Sequence, residues 1–164
     1  MIYLDTSVLA AYYCPEPLSD EAESIVRSSR SPAICDLTEV ELLSALSRKV
    51  RTRKLDATEA ERIATKFLTH LEDNLYKRFA LERRHYLLAR DWLGRFNLPL
   101  RTLDALHLAV ATSEELRLVT ADRAFARSAE ALGIDMVLVG GNTAKSSSVA
   151  SRPSKAASRT PFGR

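Results

Sequence analysis

Four carboxylates sit beside apolar segments where chemistry is possible. Asp5 follows Ile2-Tyr3-Leu4, and Asp122 follows Leu116-Arg117-Leu118-Val119-Thr120. Glu41 lies inside Leu37-Thr38-Glu39-Val40-Glu41-Leu42-Leu43, and Asp104 near the start of a very apolar stretch from Leu103. Taken singly, three have plain structural explanations. Asp5 and Asp122 stand between a strand and a helix, where a carboxylate caps the helix. Asp104 falls in a first helical turn, where negative charge favours the macrodipole. Glu41 is harder to explain so. Glu39 and Glu41 are two apart and point to different faces, and Glu41 has Leu42 beside it and Leu37 and Ala45 four away. A buried carboxylate needs a partner, a proton or a metal. Asp104 poses the same problem, because Leu103, Leu106, Leu108 and Val110 make its helix apolar nearly all round.

Taken together, the four suggest a site. Open parallel sheets bind ligands beyond the carboxyl ends of their strands, near a topological switch point. If the first and fourth strands are neighbours, Asp5 and Asp122 meet there, and Glu41 and Asp104 complete the group from flanking helices. Several like charges close together are unfavourable unless a cation sits among them. Hard oxygen ligands suit Mg²⁺, with Mn²⁺ as the alternative, rather than zinc. Cys14 and Cys35 have no C-x-x-C spacing, so neither a zinc site nor a disulfide framework is indicated.

The elements that position these residues alternate. Strands are expected at Ile2–Leu4, Pro32–Cys35, Leu75–Leu81, Leu116–Thr120 and Met136–Val139. A short helix runs through Val8–Tyr13 until Pro15 and Pro17 break it, and Ser19 opens a second carrying Ala22, Ile25 and Val26. From Asp36 to about Val50, apolar positions Leu37, Val40, Leu43 or Leu42, Leu46 and Val50 recur at helical spacing. Further helices are expected over Ala57–Asp73, Glu82–Arg95, Leu103–Glu115 with Thr102 as N-cap, and Asp122–Leu132 with Gly133 at C′. This order implies an α/β fold: three layers, a central mostly parallel sheet of about five strands, and helices on both faces.

Net charge is +3 and the pI about 9.0, but the basic excess lies at one end. Asn142 to Arg164 holds Lys145, Arg152, Lys155, Arg159 and Arg164 and no acid; without them 19 basic residues face 21 acidic ones. Residues 1–140 are read as one folded domain, and 141–164 as a disordered tail rich in Ser and bases. No apolar run approaches the ~20 residues needed to span a bilayer. The start Met-Ile-Tyr-Leu-Asp lacks a basic n-region. No membrane association and a cytoplasmic location are therefore expected.

The segments Tyr3-Leu4-Asp5-Thr6-Ser7, Leu37–Leu42, Thr102–Ala109 and Val119-Thr120-Ala121-Asp122 resemble the PIN-domain motifs in their usual order, over about residues 1–139. The segment Thr102–Ala109 is especially similar to VapC toxins of bacterial VapBC toxin–antitoxin pairs. The resemblance implies that Asp5, Glu41, Asp104 and Asp122 form an acidic catalytic metal site, with Thr120 assisting near the last Asp and Ser7 supporting the first. It implies a Mg²⁺-dependent endoribonuclease that hydrolyses RNA phosphodiesters with a metal-activated water, leaving 5′ phosphate and 3′ hydroxyl ends. It also implies a VapB-type antitoxin partner and a homodimer. One position departs: some relatives carry another acid two residues after the last motif Asp, where Ala124 stands here.

Arg101 and Arg123, beside motif carboxylates, are the candidate substrate-phosphate contacts. The cluster Arg48, Lys49, Arg51, Arg53 and Lys54 could track phosphates, and the favoured reading is that of cations placed at a helix C-terminus by the dipole. His107 is read as a packed core residue, and Trp92 with Tyr86 and Phe96 as core or interface. Leu9, Tyr12 and Tyr13 are an apolar patch that serves either an interface or the core. A receiver-type phosphoacceptor and a D-x-D phosphatase fail because Thr6-Ser7 follows Asp5. The alternatives that stand are a non-catalytic PIN scaffold binding a protein or RNA, and a DNA nuclease.

Overall fold

The computed structural model describes residues 1–141. The elements run β1 (Ile2–Leu4), α1 (Thr6–Tyr13), α2 (Ser19–Ser28), β2 (Pro32–Cys35), α3 (Asp36–Arg51) and α4 (Ala57–Glu72). The second half is β3 (Lys77–Phe79), α5 (Arg83–Leu93), α6 (Thr102–Ser113), β4 (Arg117–Thr120), α7 (Arg123–Ala131) and β5 (Met136–Leu138). The five strands form one sheet in the order β3-β2-β1-β4-β5, and every neighbouring pair is parallel.

Parallel strands joined by helices bury both sheet faces, so each strand needs apolar residues on both sides. The strands meet that need by alternation. Leu4, Ile34 and Val119 pack under α1 to α4, with Val8, Leu42 and Phe67. Tyr3, Ala33, Cys35 and Leu118 face the other way, onto Trp92, Leu108 and Phe125 of α5, α6 and α7. The result is a helix–sheet–helix sandwich. Phe67, fully buried at the centre of α4, is a keystone of the first layer, and truncating it to Ala should cost about 3–5 kcal/mol.

Helix ends follow local chemistry. The Asp5 side chain caps α1 and the Asp122 side chain caps α7. Gly133 follows the end of α7 with φ +72°, the left-handed conformation that needs no Cβ penalty. Arg53, Asn74 and Glu115 take the same conformation after α3, α4 and α6, without glycine.

Several expectations shift. Thr102 is the first residue of α6, and Arg101, extended at φ −85° ψ 157°, is the cap. The buried stripe of α3 is Thr38, Leu42 and Leu46. Val40, at 67% exposure, and Leu43 face solvent instead, because α3 turns its 38-42-46 edge to the sheet. Leu9 and Tyr13 belong to the core and Tyr12 packs against it. The Tyr13 hydroxyl is tied to Tyr76 and His70 at 2.7 Å each, so this is not a free surface patch. Trp92 is buried, while Tyr86 and Phe96 are exposed. The disordered tail expected at 141–164 lies, beyond Gly141, outside the described residues. No described helix is long and apolar enough to cross a membrane.

Candidate active site

The strand order places β1 and β4 side by side at the centre of the sheet, with chain progression outward in both directions. That is the switch point. The register Leu4↔Val119 continues into a bond from the Asp5 N–H to the Val119 carbonyl at 3.1 Å, which sets Asp5 beside Thr120. Asp5, Glu41, Asp104 and Asp122 all line one open cavity of about 470 Å³ at this edge.

Asp5 is 4% exposed and is held from both oxygens. Its Oδ1 accepts from the Ser7 N–H (2.7 Å), the Ser7 hydroxyl (2.6 Å) and the Val8 N–H (3.1 Å). Its Oδ2 accepts from the Thr120 hydroxyl at 2.5 Å. The two hydroxyls also brace the last motif: Ser7 Oγ accepts from the Ala121 N–H at 2.8 Å and Thr120 Oγ1 from the Asp122 N–H at 3.0 Å. Ser7 and Thr120 therefore lock the ends of β1 and β4 together around Asp5. Burial pushes the Asp5 carboxyl up, and the bonds from Ser7 and Thr120 oppose that rise.

Asp122 spends Oδ1 on the N–H groups of Ala124 and Phe125. Asp104 accepts no hydrogen bond from a described residue. Burial raises its carboxyl, and the neighbouring Asp122 adds to this. Arg101, which lines the same cavity, pulls the other way.

Glu41 is arranged differently. Its Oε2 accepts from the Thr6 hydroxyl at 2.5 Å and lies 2.6 Å from His107 Nε2. The other ring nitrogen, Nδ1, lies 2.7 Å from the Tyr3 hydroxyl. Burial alone would lower His107, but its contacts with the Cys35 thiol and the Glu41 carboxylate outweigh it and push the imidazole up to about 10. Burial likewise opposes charge on Glu41, yet His107 holds it below the usual carboxylate range. Glu39, the other member of the doublet, pairs with Arg78 at 3.4 Å on the outside of α3.

His107 is therefore packed, as its apolar helix implies, and is also the internal cation of the site, a role the sequence reading missed. Its spacing is the signal that was available: three residues after Asp104 it lies on nearly the same side of α6. Arg48 and Arg51, for which the sequence favours the helix-dipole reading over phosphate contact, line the carboxylate cavity. Arg101 lines it too, whereas Arg123 lines an adjoining cavity.

The donor chemistry fits a hard divalent cation: every donor is oxygen, and Asp104 and Asp122 repel each other. As the side chains stand, no group of three His, Cys, Asp or Glu among the described residues forms a ready coordination shell. Asp104, which no described residue holds by a hydrogen bond, is the side chain best able to move toward an ion.

An acidic groove at the switch point of a wholly parallel α/β sheet defines the class. The chain belongs to the PIN-domain family, whose model matches residues 2–131. Solved structures agree on the fold. The chain is similar to the Mycobacterium tuberculosis toxin VapC20, which cleaves the sarcin–ricin loop (TM-score 0.63, 19% identity, 82% of this chain and 96% of that one). It is similar to PAE2754 from Pyrobaculum aerophilum (TM-score 0.58, 26% identity, 78% of this chain and 79% of that one). It is also similar to VapBC2 from Rickettsia felis bound to a promoter DNA fragment (TM-score 0.60, 21% identity, 84% of this chain and 98% of that chain). No curated protein sequence matches it.

Proposed function

We propose that the chain is a metal-dependent endoribonuclease of the VapC type, the toxin of a toxin–antitoxin pair. A fold alone does not fix an activity. What carries the reading is the meeting of Asp5, Glu41, Asp104 and Asp122 in one cavity at the switch point. Asp5, Asp104, Asp122 and Glu41 would hold Mg²⁺, or Mn²⁺ in its place, which supplies an acidified water and screens the phosphate. Ser7 and Thr120 keep the Asp5 carboxylate aimed into the groove. Glu41 enters already ionised, with one oxygen tied to Thr6 and His107 and the other uncommitted. Arg101 stands at the cavity wall as a phosphate contact.

The antitoxin partner is supported by likeness to toxin–antitoxin complexes such as VapBC from Salmonella typhimurium. For the homodimer, the Leu9–Tyr13 surface is closed by the core. Tyr86 and Phe96 are exposed apolar side chains at the α5–α6 face, and both border an apolar cavity of about 400 Å³. That face is the better dimer surface, and Phe96→Asp should yield monomers in sedimentation.

The reading is tested by presenting purified chain with matched RNA and DNA oligonucleotides in Mg²⁺ and mapping the product ends. RNA products with 5′ phosphates support it. Cleavage of DNA alone moves the chain to the DNA-nuclease reading. No cleavage of either by folded, partner-free protein favours the non-catalytic scaffold.

A further inference from the structure

Beside the acidic cavity lies a second one of about 720 Å³. The two share a wall of Ser7, Ala10, Ala45, Arg48 and Asp122, so they form one continuous groove. The charge balance shifts along it. The first part sets four acids against Arg48, Arg51, Arg101 and His107. The second has Arg48, Lys49, Lys54 and Arg123 against Glu16 and Asp122.

Both acids of the second part are already engaged. Glu16 pairs with Lys49, and Asp122 caps α7. Arg48 and Arg123, by contrast, form no ion pair with a described residue, and both are exposed. They come from different elements, the C-terminal half of α3 and the start of α7. Unpaired guanidinium groups at the exit of an acidic groove have a physical use. A polyanion engaged at the acids through a cation still carries its next phosphates, and those need positive charge. Guanidinium suits them because its planar fork binds phosphate oxygens in pairs.

We propose that Arg48 and Arg123 form a phosphate clamp that holds the RNA backbone on one flank of the cleavage position, along the second cavity. The clamp rests on the RNA reading given above and extends it by naming the path of the strand. It acts on binding: neither guanidinium belongs to the carboxylate set that acts on the scissile bond. Arg48 thereby gains a role beyond the helix dipole, and Arg123 acts away from Arg101 rather than beside it.

The test uses the full chain carrying Asp5→Asn, so that RNA survives, and measures affinity for a labelled single-stranded RNA in Mg²⁺ across a salt series. Each lost phosphate contact on a single strand lowers the slope of log K against log salt by about 0.7. Arg48→Ala with Arg123→Ala should therefore flatten the slope by about 1.4 and weaken binding at low salt. Arg62→Ala with Lys66→Ala, on the α4 surface away from this groove, should leave the slope unchanged. A slope unchanged by the Arg48 and Arg123 substitutions overturns the clamp. If the parent chain nevertheless cleaves RNA, the clamp alone fails and the nuclease reading stands. Absence of both RNA binding and cleavage overturns the two together.

Discussion

The two walls of the acidic groove handle negative charge in opposite ways. On the β1–β4–α6 wall, burial pushes Asp5 and Asp104 up, and Asp104 feels Asp122 and Asp5 as well. On the α3 wall, Glu41 is held below the ordinary range by His107, an imidazole pushed up to about 10 inside the protein. His107 stands on α6 but bonds to Glu41 across the groove, and the pull of His107 and Arg101 on Asp104 does not offset its burial. The difference explains how four acids coexist in one cavity. An added cation would relieve the repulsion between Asp104 and Asp122 most directly, and Glu41 keeps one oxygen uncommitted for it.

Breaking the first wall should have the largest effect. Asp104→Asn is expected to lower kcat for RNA cleavage by on the order of 10²–10³-fold, the usual range for losing one charge-stabilising group in a site. A loss below tenfold would make Asp104 dispensable and the wall a mere surface.

Breaking the second wall should be felt in stability. Replacing His107 by Leu leaves Glu41 half-buried without its cation, and removing one partner of a buried pair costs about 3 kcal/mol. In thermal melts the midpoint should fall by ~10 °C, and Glu41→Gln in the same chain should recover part of the loss. A melt unchanged by His107→Leu would show that the pair does not form.

The pair also sets a pH dependence. Unfolded His titrates near ~6.5, and His107 in the fold is pushed up to about 10. Its contribution to stability is thus fully present below the unfolded value and is lost as pH rises through about 10. Glu41, held low, contributes above the unfolded carboxylate range and loses that contribution as pH falls. The parent should therefore lose stability on the alkaline side more steeply than Glu41→Gln, which is read from melts across pH. Equal alkaline slopes would sever the link between Glu41 and His107.

The smallest effect belongs to the first wall without metal. Asp104→Asn removes a like-charge contact and should raise the melting midpoint by ~2 °C. Adding Mg²⁺ should then stabilise the parent more than the variant, closing the gap. A lower midpoint for the metal-free variant would mean that Asp104 is stabilising as it stands.

Much of this arrangement was legible in the sequence. The strand–helix alternation follows from short β-rich runs between amphipathic segments, and the meeting of Asp5 with Asp122 follows once β1 and β4 are neighbours. The two-residue spacing of Glu39 and Glu41 implies that they point two ways, and Glu39 does pair with Arg78 while Glu41 lines the cavity. What the sequence did not show depends on tertiary distance. Val40 and Leu43 fit a helical stripe as well as Leu42 does, and only docking on the sheet decides between them. Tyr12 and Tyr13 look like a surface patch until α4 and Tyr76 cover them. His107 could not be joined to Glu41, 66 residues away, from helix periodicity alone. Nor could Arg48 be placed at the groove, because a cation near a helix C-terminus has a sufficient local explanation.

The activity proposed for the Asp5 groove is RNA cleavage with a divalent cation. The direct measurement is cleavage of a mixed structured RNA pool by purified, partner-free chain with Mg²⁺, with EDTA, and with the Asp5→Asn variant shown to be folded. The parent should cleave in Mg²⁺, and cleavage should be lost in the other two. Undiminished cleavage by Asp5→Asn, or in EDTA, would contradict that activity.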